Sequence, residues 1–210
     1  MSHTFDQAYW ERHWSSEGAT SGAADLPVSP YLPVETKDLP VGSALDAGCG
    51  SGTEAIWLAR QGWRVTGADI SAGALAVAAG RAETAGQAAH LEWVQADLTT
   101  WEPGRTWDLV VTHYAHAETG QLALYKRISS WVAVGGALLI VGHLHSNRGR
   151  GLHSDYQDHP EHATATAVGI ADLFAGPGWQ LQSCYENTRT VAPGGVPVEL
   201  SDIVVRLHRT

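Results

Sequence analysis

Leu45-Asp46-Ala47-Gly48-Cys49-Gly50-Ser51-Gly52-Thr53 hands a short apolar strand, Ser43–Ala47, over to a helix that begins at Thr53. Glycine at 48, 50 and 52 lets the backbone take φ > 0 and lets a ligand approach without a Cβ in its way. Downstream the pattern alternates. Thr53–Gln61 reads as a helix with Ala55, Ile56, Leu58 and Ala59 on its apolar side, Arg64–Ala68 as a strand, and Ala72–Thr84 as an alanine-rich helix. Leu91–Gln95 and Asp108–Thr112 are the next strands, separated by a loop from Trp101 to Trp107. Gln121–Val132 reads as a helix that Gly135-Gly136 turns into a fifth strand, Ala137–Gly142. Thr164–Phe174 is helical in pattern, and Gln180–Tyr185 and Asp202–Leu207 close the chain as strands around a Pro/Gly turn at Pro193–Pro197. Such alternation predicts an α/β fold, an open and mostly parallel sheet with helices on both faces.

Sheets of this kind bind ligands beyond the carboxyl ends of their strands, and acids stand at three successive strand ends there. Asp46 precedes the glycines. Asp69 closes the second strand, where a carboxylate reaches ribose hydroxyls. Asp97-Leu98 ends the third, where an acid and an apolar residue hold the edge and face of an adenine. Singly, each acid reads equally well as an N-cap or a solvated loop residue; in register, they point to a nucleotide. A dinucleotide fingerprint, GxGxxG, would require glycine at 53, where Thr stands. Asp46 would also set a negative charge beside a pyrophosphate. A carboxylate there suits a ligand with an ammonium and a sulfonium, and S-adenosylmethionine has both.

Ala44-Leu45-Asp46-Ala47-Gly48-Cys49-Gly50-Ser51-Gly52, followed by Val65-Thr66-Gly67-Ala68-Asp69-Ile70-Ser71, resembles the class I S-adenosylmethionine-dependent methyltransferases. Asp97-Leu98 and Leu109-Val110-Val111 add to the resemblance, which covers residues 43–143. It implies a Rossmann-like, seven-stranded sheet with the last strand antiparallel. It also implies roles: Asp46 and Gly48 toward the methionine part, Asp69 toward the ribose, Asp97 toward the adenine. Ala47, Gly50, Ile70 and Leu98 join the cofactor set as their neighbours, and His113 as the residue after the fourth strand, which in the family commonly lies beside the transferred methyl. Trp10 and Trp14, four apart, resemble the WxxxW helix of thiopurine methyltransferase-like enzymes, where the aromatic pair closes over the cofactor. The ordinary first motif departs from that subgroup, so a thiopurine substrate is not implied.

The 210 residues allow about one domain, with 44% hydrophobic and 17% charged side chains. Residues 1–40 read as an N-terminal cap, with a helix over Phe5–Trp14 capped by Asp6, and residues 41–210 as the methyltransferase domain with an active-site loop at 145–163. Thirteen basic against 22 acidic side chains, a formal −9, repel phosphate backbones, so nucleic acid is not expected as a partner. Apolar runs such as Ala137–Val141 fall far short of the ~20 residues of a membrane helix. Ser2–Glu17 does not read as a signal peptide. A cytoplasmic enzyme, monomer or homodimer, with Cys49 and Cys184 as reduced thiols is expected.

The methyl on a sulfonium is already activated, so alignment of a small-molecule acceptor for in-line displacement is the main task. A base is needed only if the acceptor loses a proton. His113 and His143 follow their strands most directly and are the catalytic candidates, with His116 and His145 close by. Each is singly compatible with a structural imidazole. Five histidines between 143 and 162 lack zinc spacing and read as a polar lid, with no metal expected. The acceptor atom (O, N, S or a halide) stays open. The alternatives are a nicotinamide (NAD(P)) oxidoreductase, disfavoured by Thr53 and Asp46, and a cofactor-binding module without turnover.

Overall fold

The computed structural model describes residues 5–14, 27–144, 165–191 and 198–210. The strands are β1 (Ser43–Ala47), β2 (Arg64–Asp69), β3 (Leu91–Gln95), β4 (Trp107–His113), β5 (Val132–His143), β6 (Trp179–Val191) and β7 (Val198–Arg209). They form one sheet in the order β3-β2-β1-β4-β5-β7-β6, with β7 antiparallel to both of its neighbours and every other pairing parallel. The order reverses between β1 and β4, which opens a crevice beyond their carboxyl ends.

Helices α1 (Gln7–His13), α2 (Tyr31–Thr36), α3 (Thr53–Arg60), α4 (Ala72–Thr84), α5 (Gln121–Ser129) and α6 (Ala167–Leu173) complete the described elements. Local chemistry starts three of them. The side chains of Asp6, Ser71 and Thr166 accept from the backbone N–H of Tyr9, Ala74 and Gly169, satisfying donors that have no partner within the first turn. None of the described helices is long and apolar enough to cross a membrane.

Central strands are apolar on both faces because both are covered. Leu45, Val110, Leu138, Ile140 and Val205 pack with Leu124, Ile128 and Ile170 of α5 and α6. Ala44, Leu109, Val111, Leu139 and Val141 pack with Leu32 of α2 and Leu58 of α3. Each fully buried Leu or Ile contributes about 1.5–3 kcal/mol. On this second side α2 is also tied down by polar contacts. Buried Glu35 accepts from the Ser183 hydroxyl at 2.7 Å and the Tyr185 hydroxyl at 2.9 Å, and Arg206 donates to its carbonyl.

Several boundaries differ from the pattern reading, among them the start of the helix predicted at Thr164, which is Ala167 in α6. Helix α5 ends at Ser129 rather than Val132, because Val132 already pairs with Trp107 as the start of β5. Gly135-Gly136 therefore lies within β5 rather than between helix and strand. The β4–β5 register shifts there, and a Cβ on Gly136 would stand 2.8 Å from the Asp108 carbonyl oxygen. Strands β6 and β7 run well past Gln180–Tyr185 and Asp202–Leu207, since their polar ends pair with each other beyond the sheet core. The Pro193–Pro197 turn and the 145–163 loop, with His145, lie outside the described residues.

Candidate active site

The glycine turn between β1 and α3 is left-handed at Gly48, Gly50 and Gly52 (φ 80°, 49° and 77°). Backbone N–H groups of Gly48 and Cys49 donate to the Ala68 carbonyl at 2.8 and 3.1 Å, pinning the turn to β2. A Cβ on Gly48 would lie 2.4 Å from the Ala115 methyl, and one on Gly50 3.0 Å from the Trp14 ring. The loop after β4 and the end of α1 thus both close on the turn, and only hydrogen fits between.

The three acids stand around it in different states. Asp69, at the end of β2, accepts from Gly50 N–H at 2.8 Å and Ser71 N–H at 2.9 Å, one on each carboxylate oxygen. Burial pushes its pKa up, and those backbone bonds work against the rise. Asp97, after β3, uses Oδ1 to accept from the Thr99 N–H (2.8 Å) and hydroxyl (2.7 Å). Asp46 is only 1% exposed, and its Oδ2 accepts no hydrogen bond. Burial, then repulsion from Glu54, holds its carboxyl well above the usual range, opposed by a backbone hydrogen bond from Ala55. A buried carboxylate oxygen without a donor is what a cationic ligand group satisfies. Ala47 is buried behind the turn, while the Ile70 carbonyl accepts from Gln95 and the Leu98 carbonyl from Arg127.

Helix α1 docks here through a residue that pattern reasoning missed. Glu11, between the two tryptophans, accepts from Ala72 N–H (2.8 Å), the Ser71 hydroxyl (3.0 Å) and Gly73 N–H (3.3 Å) at the start of α4. These bonds hold its carboxyl below the usual range, the Ala72 N–H contributing most. Trp14 covers Gly50, whereas Trp10 packs in a ring cluster with Phe5, Tyr9 and His13. An acid placed i+1 from one tryptophan and i−3 from the next is the signal that could have found Glu11.

The ends of β4 and β5 form the other half of the crevice. His113 has both ring nitrogens buried and unbonded, and burial lowers its pKa, with Glu54 opposing. Glu54 in turn accepts from Ser29 N–H at 3.1 Å, fastening residues 27–30 to the site. His143 stacks on Tyr114 with ring centroids 4.3 Å apart, and His116 stacks between His143 (6.4 Å) and Phe5 (5.2 Å). Tyr114 has φ 55°, a left-handed strain of the kind that collects at ligand sites. His113 and His143 are therefore on one side of the crevice, and the acids on the other. Asp202, Arg189 and Tyr31, unpredicted from the sequence, join the histidine side through hydrogen bonds. An acid heading the apolar run Ile203-Val204-Val205 was the available sign of Asp202. Among the described residues no group of three His, Cys, Asp or Glu is placed to hold a metal ion.

Residues 44–136 match the family described as a methyltransferase domain. The chain is 33% identical over 135 residues to probable thiol methyltransferase 2 of Arabidopsis thaliana, covering 62% of this chain and 59% of that protein. It is 35% identical over 109 residues to thiocyanate methyltransferase 1 of the same plant, covering 51% of this chain and 47% of that protein. The chain thus spans about half to three fifths of the length of these relatives. The N-methyltransferase NodS from Bradyrhizobium japonicum WM9, solved in complex with S-adenosyl-L-homocysteine, superposes with a TM-score of 0.68. That match covers 99% of both chains at 14% identity and shows the shared fold. Matched domain, glycine motif and sheet order agree on a methyltransferase domain over residues 44–136.

Proposed function

We propose that this chain transfers the methyl group of S-adenosylmethionine to a nucleophilic atom of a small molecule by in-line displacement. The observation that carries the reading is the buried, unpartnered Asp46 Oδ2 under a left-handed glycine turn, with Asp69 and Asp97 in register beside it. Asp46, Ala47, Gly48 and Gly50 would hold the amino-acid part, Asp69 and Ile70 the ribose, and Asp97 and Leu98 the adenine. Trp14 and Trp10 would cap the site from α1. In this reading residues 1–40 act as the cap and 41–210 as the catalytic domain.

When bound, the cofactor supplies a methyl group already activated on sulfur. The protein's own work is alignment and exclusion of water, worth ~7–11 kcal/mol of the barrier when reacting atoms are held ~3–3.5 Å apart. His113, kept neutral by burial, borders the methyl position, and its unprotonated ring nitrogen can accept a hydrogen bond from the acceptor. His143 is the base for an acceptor that carries a proton. The relatives' names make sulfur acceptors the first to try. We further place the enzyme in the cytoplasm, as a monomer or homodimer, and take its charge of −9 as support for an acceptor other than nucleic acid.

The test is release of S-adenosylhomocysteine in the presence of thiol, thiocyanate, halide, phenol and amine acceptors. Turnover with at least one class is expected. A folded chain that neither releases nor binds S-adenosylhomocysteine would overturn the reading.

A further inference from the structure

Asp202 is 0% exposed in β7 and stands opposite His143 in the antiparallel β5–β7 register. Residues paired in this way carry their side chains on one face, within contact of each other. Its Oδ2 is fully used: Arg189 Nε donates to it at 2.5 Å and the Tyr31 hydroxyl at 3.0 Å. Arg189 also donates to the Tyr114 hydroxyl at 3.1 Å, and Asn187 to Tyr31 at 3.1 Å, so the carboxylate is held from α2, β6 and the end of β4 together. Its Oδ1 accepts no hydrogen bond and lies 3.8 Å from His143 Nδ1. A merely structural Asp–Arg pair needs only the first oxygen. The second is aimed at an imidazole on the acceptor side of the crevice.

We propose that Asp202 is a positioning residue for His143: Oδ1 accepts the Nδ1 proton, turns Nε2 toward the acceptor, and stabilises the imidazolium formed when Nε2 takes the acceptor's proton. This rests on the methyl-transfer reading above, and it names the acceptor class. An acceptor X–H that arrives protonated, a hydroxyl, phenol or thiol, uses such a pair; thiocyanate and halides have no proton to give. The X–C bond forms as the methyl–sulfur bond breaks, sulfur keeps the electron pair, and the X–H proton passes to His143 and then to solvent. The 3.8 Å separation is roughly 0.6 Å beyond hydrogen-bond range, a gap that catalytic pairs commonly close when ligand binds. Among the described residues, the groups facing His143 include the Tyr114 and His116 rings, Asp202 on β7 and, beyond that carboxylate, Arg189 on β6 and Tyr31 on α2. Of these groups the nearer charge is the anion, with the cation behind it.

Nitrogen-15 NMR of histidine-labelled chain saturated with S-adenosylhomocysteine, with His143 assigned by His143→Gln, tests this without any acceptor. Neutral His143 is expected as the Nδ1–H tautomer, and Asp202→Asn should lower its pKa by about one unit, a tenfold change in acid strength. The wild-type tautomer needs no variant, so a poorly folding Asp202→Asn still leaves a test. An Nε2–H tautomer in wild type overturns the proposal. In turnover with ethanethiol or phenol, Asp202→Asn should cut kcat at least tenfold with KM within threefold, and Tyr31→Phe should do far less. Turnover with thiocyanate alone overturns the acceptor class. If His143→Gln is slow but Asp202→Asn is not, only the Asp202 role fails. If His143→Gln is itself at wild-type rate, the base assignment fails with it.

Discussion

Asp46→Asn keeps the shape of the side chain and removes its charge, so it should move stability and ligand affinity in opposite directions. The carboxylate is fully enclosed, lacks a donor on Oδ2 and is repelled by Glu54 and Asp69. An enclosed ion costs several kcal/mol after relaxation. The asparagine retains an acceptor for the Ala55 N–H and leaves at most an unpaired amide, a cost of about 1–3 kcal/mol. The ligand-free variant should then be more stable by about 2 kcal/mol, a rise in Tm of ~4–8 °C for a chain of this size. The sign of the pH effect follows from the raised native pKa. Between the unfolded value near ~3.9 and that raised value the native state holds the extra proton, so wild-type stability falls as pH rises across the window. The advantage of Asp46→Asn should therefore grow from acid toward alkaline pH. Affinity goes the other way, because the cofactor's ammonium loses a charged acceptor worth ~1.5–3 kcal/mol, weakening binding roughly 10- to 150-fold. Thermal melts at several pH values and isothermal titration with S-adenosylhomocysteine read the two effects. Loss of stability together with unchanged affinity would refute the reasoning, since that is the signature of a structural acid.

Asp69→Asn leaves one acceptor oxygen for two N–H donors, Gly50 and Ser71, so titration should show at least tenfold weaker S-adenosylhomocysteine binding. Affinity within threefold of wild type in a folded variant would remove Asp69 from the ribose site. Hydrogen exchange over residues 5–14 should slow on S-adenosylhomocysteine binding, as Trp14 and Glu11 close on the glycine turn and α4; equal protection in both states would make α1 a fixed part of the fold. His113 has its pKa lowered by burial, so it costs stability as pH falls below the unfolded value near ~6.5. His113→Gln should flatten that acid limb in denaturant melts, and an unchanged limb would contradict the burial of a neutral imidazole.

Strands β1, β2, β4 and β5 were legible because both of their faces are covered, which writes them as continuous apolar runs. Helix α4 was legible to the residue, since Ser71 caps it and alanines fill it. The turn assigned to Gly135-Gly136 shows the limit of local punctuation: the pair marks a close passage of β5 over Asp108, which only the neighbouring strand reveals. The outer halves of β6 and β7 carried no apolar pattern because they pair only with each other. Candidate site residues divide in the same way. Asp46, Asp69 and Asp97 were readable because their place is fixed by their own strand ends. Glu11, Asp202, Arg189 and Tyr31 were not, since their meaning comes from partners that are distant in the chain: 60 residues separate Glu11 from Ser71, and 171 separate Tyr31 from Asp202.

Parallel isothermal titrations of the purified chain with S-adenosylhomocysteine and with NADH address the central claim most directly. The three acids around the glycine turn predict saturable binding of S-adenosylhomocysteine at one site per chain, weakened by Asp46→Asn and by Asp69→Asn, and no saturable binding of NADH. Saturable NADH binding without any response to S-adenosylhomocysteine would contradict the assignment of that crevice.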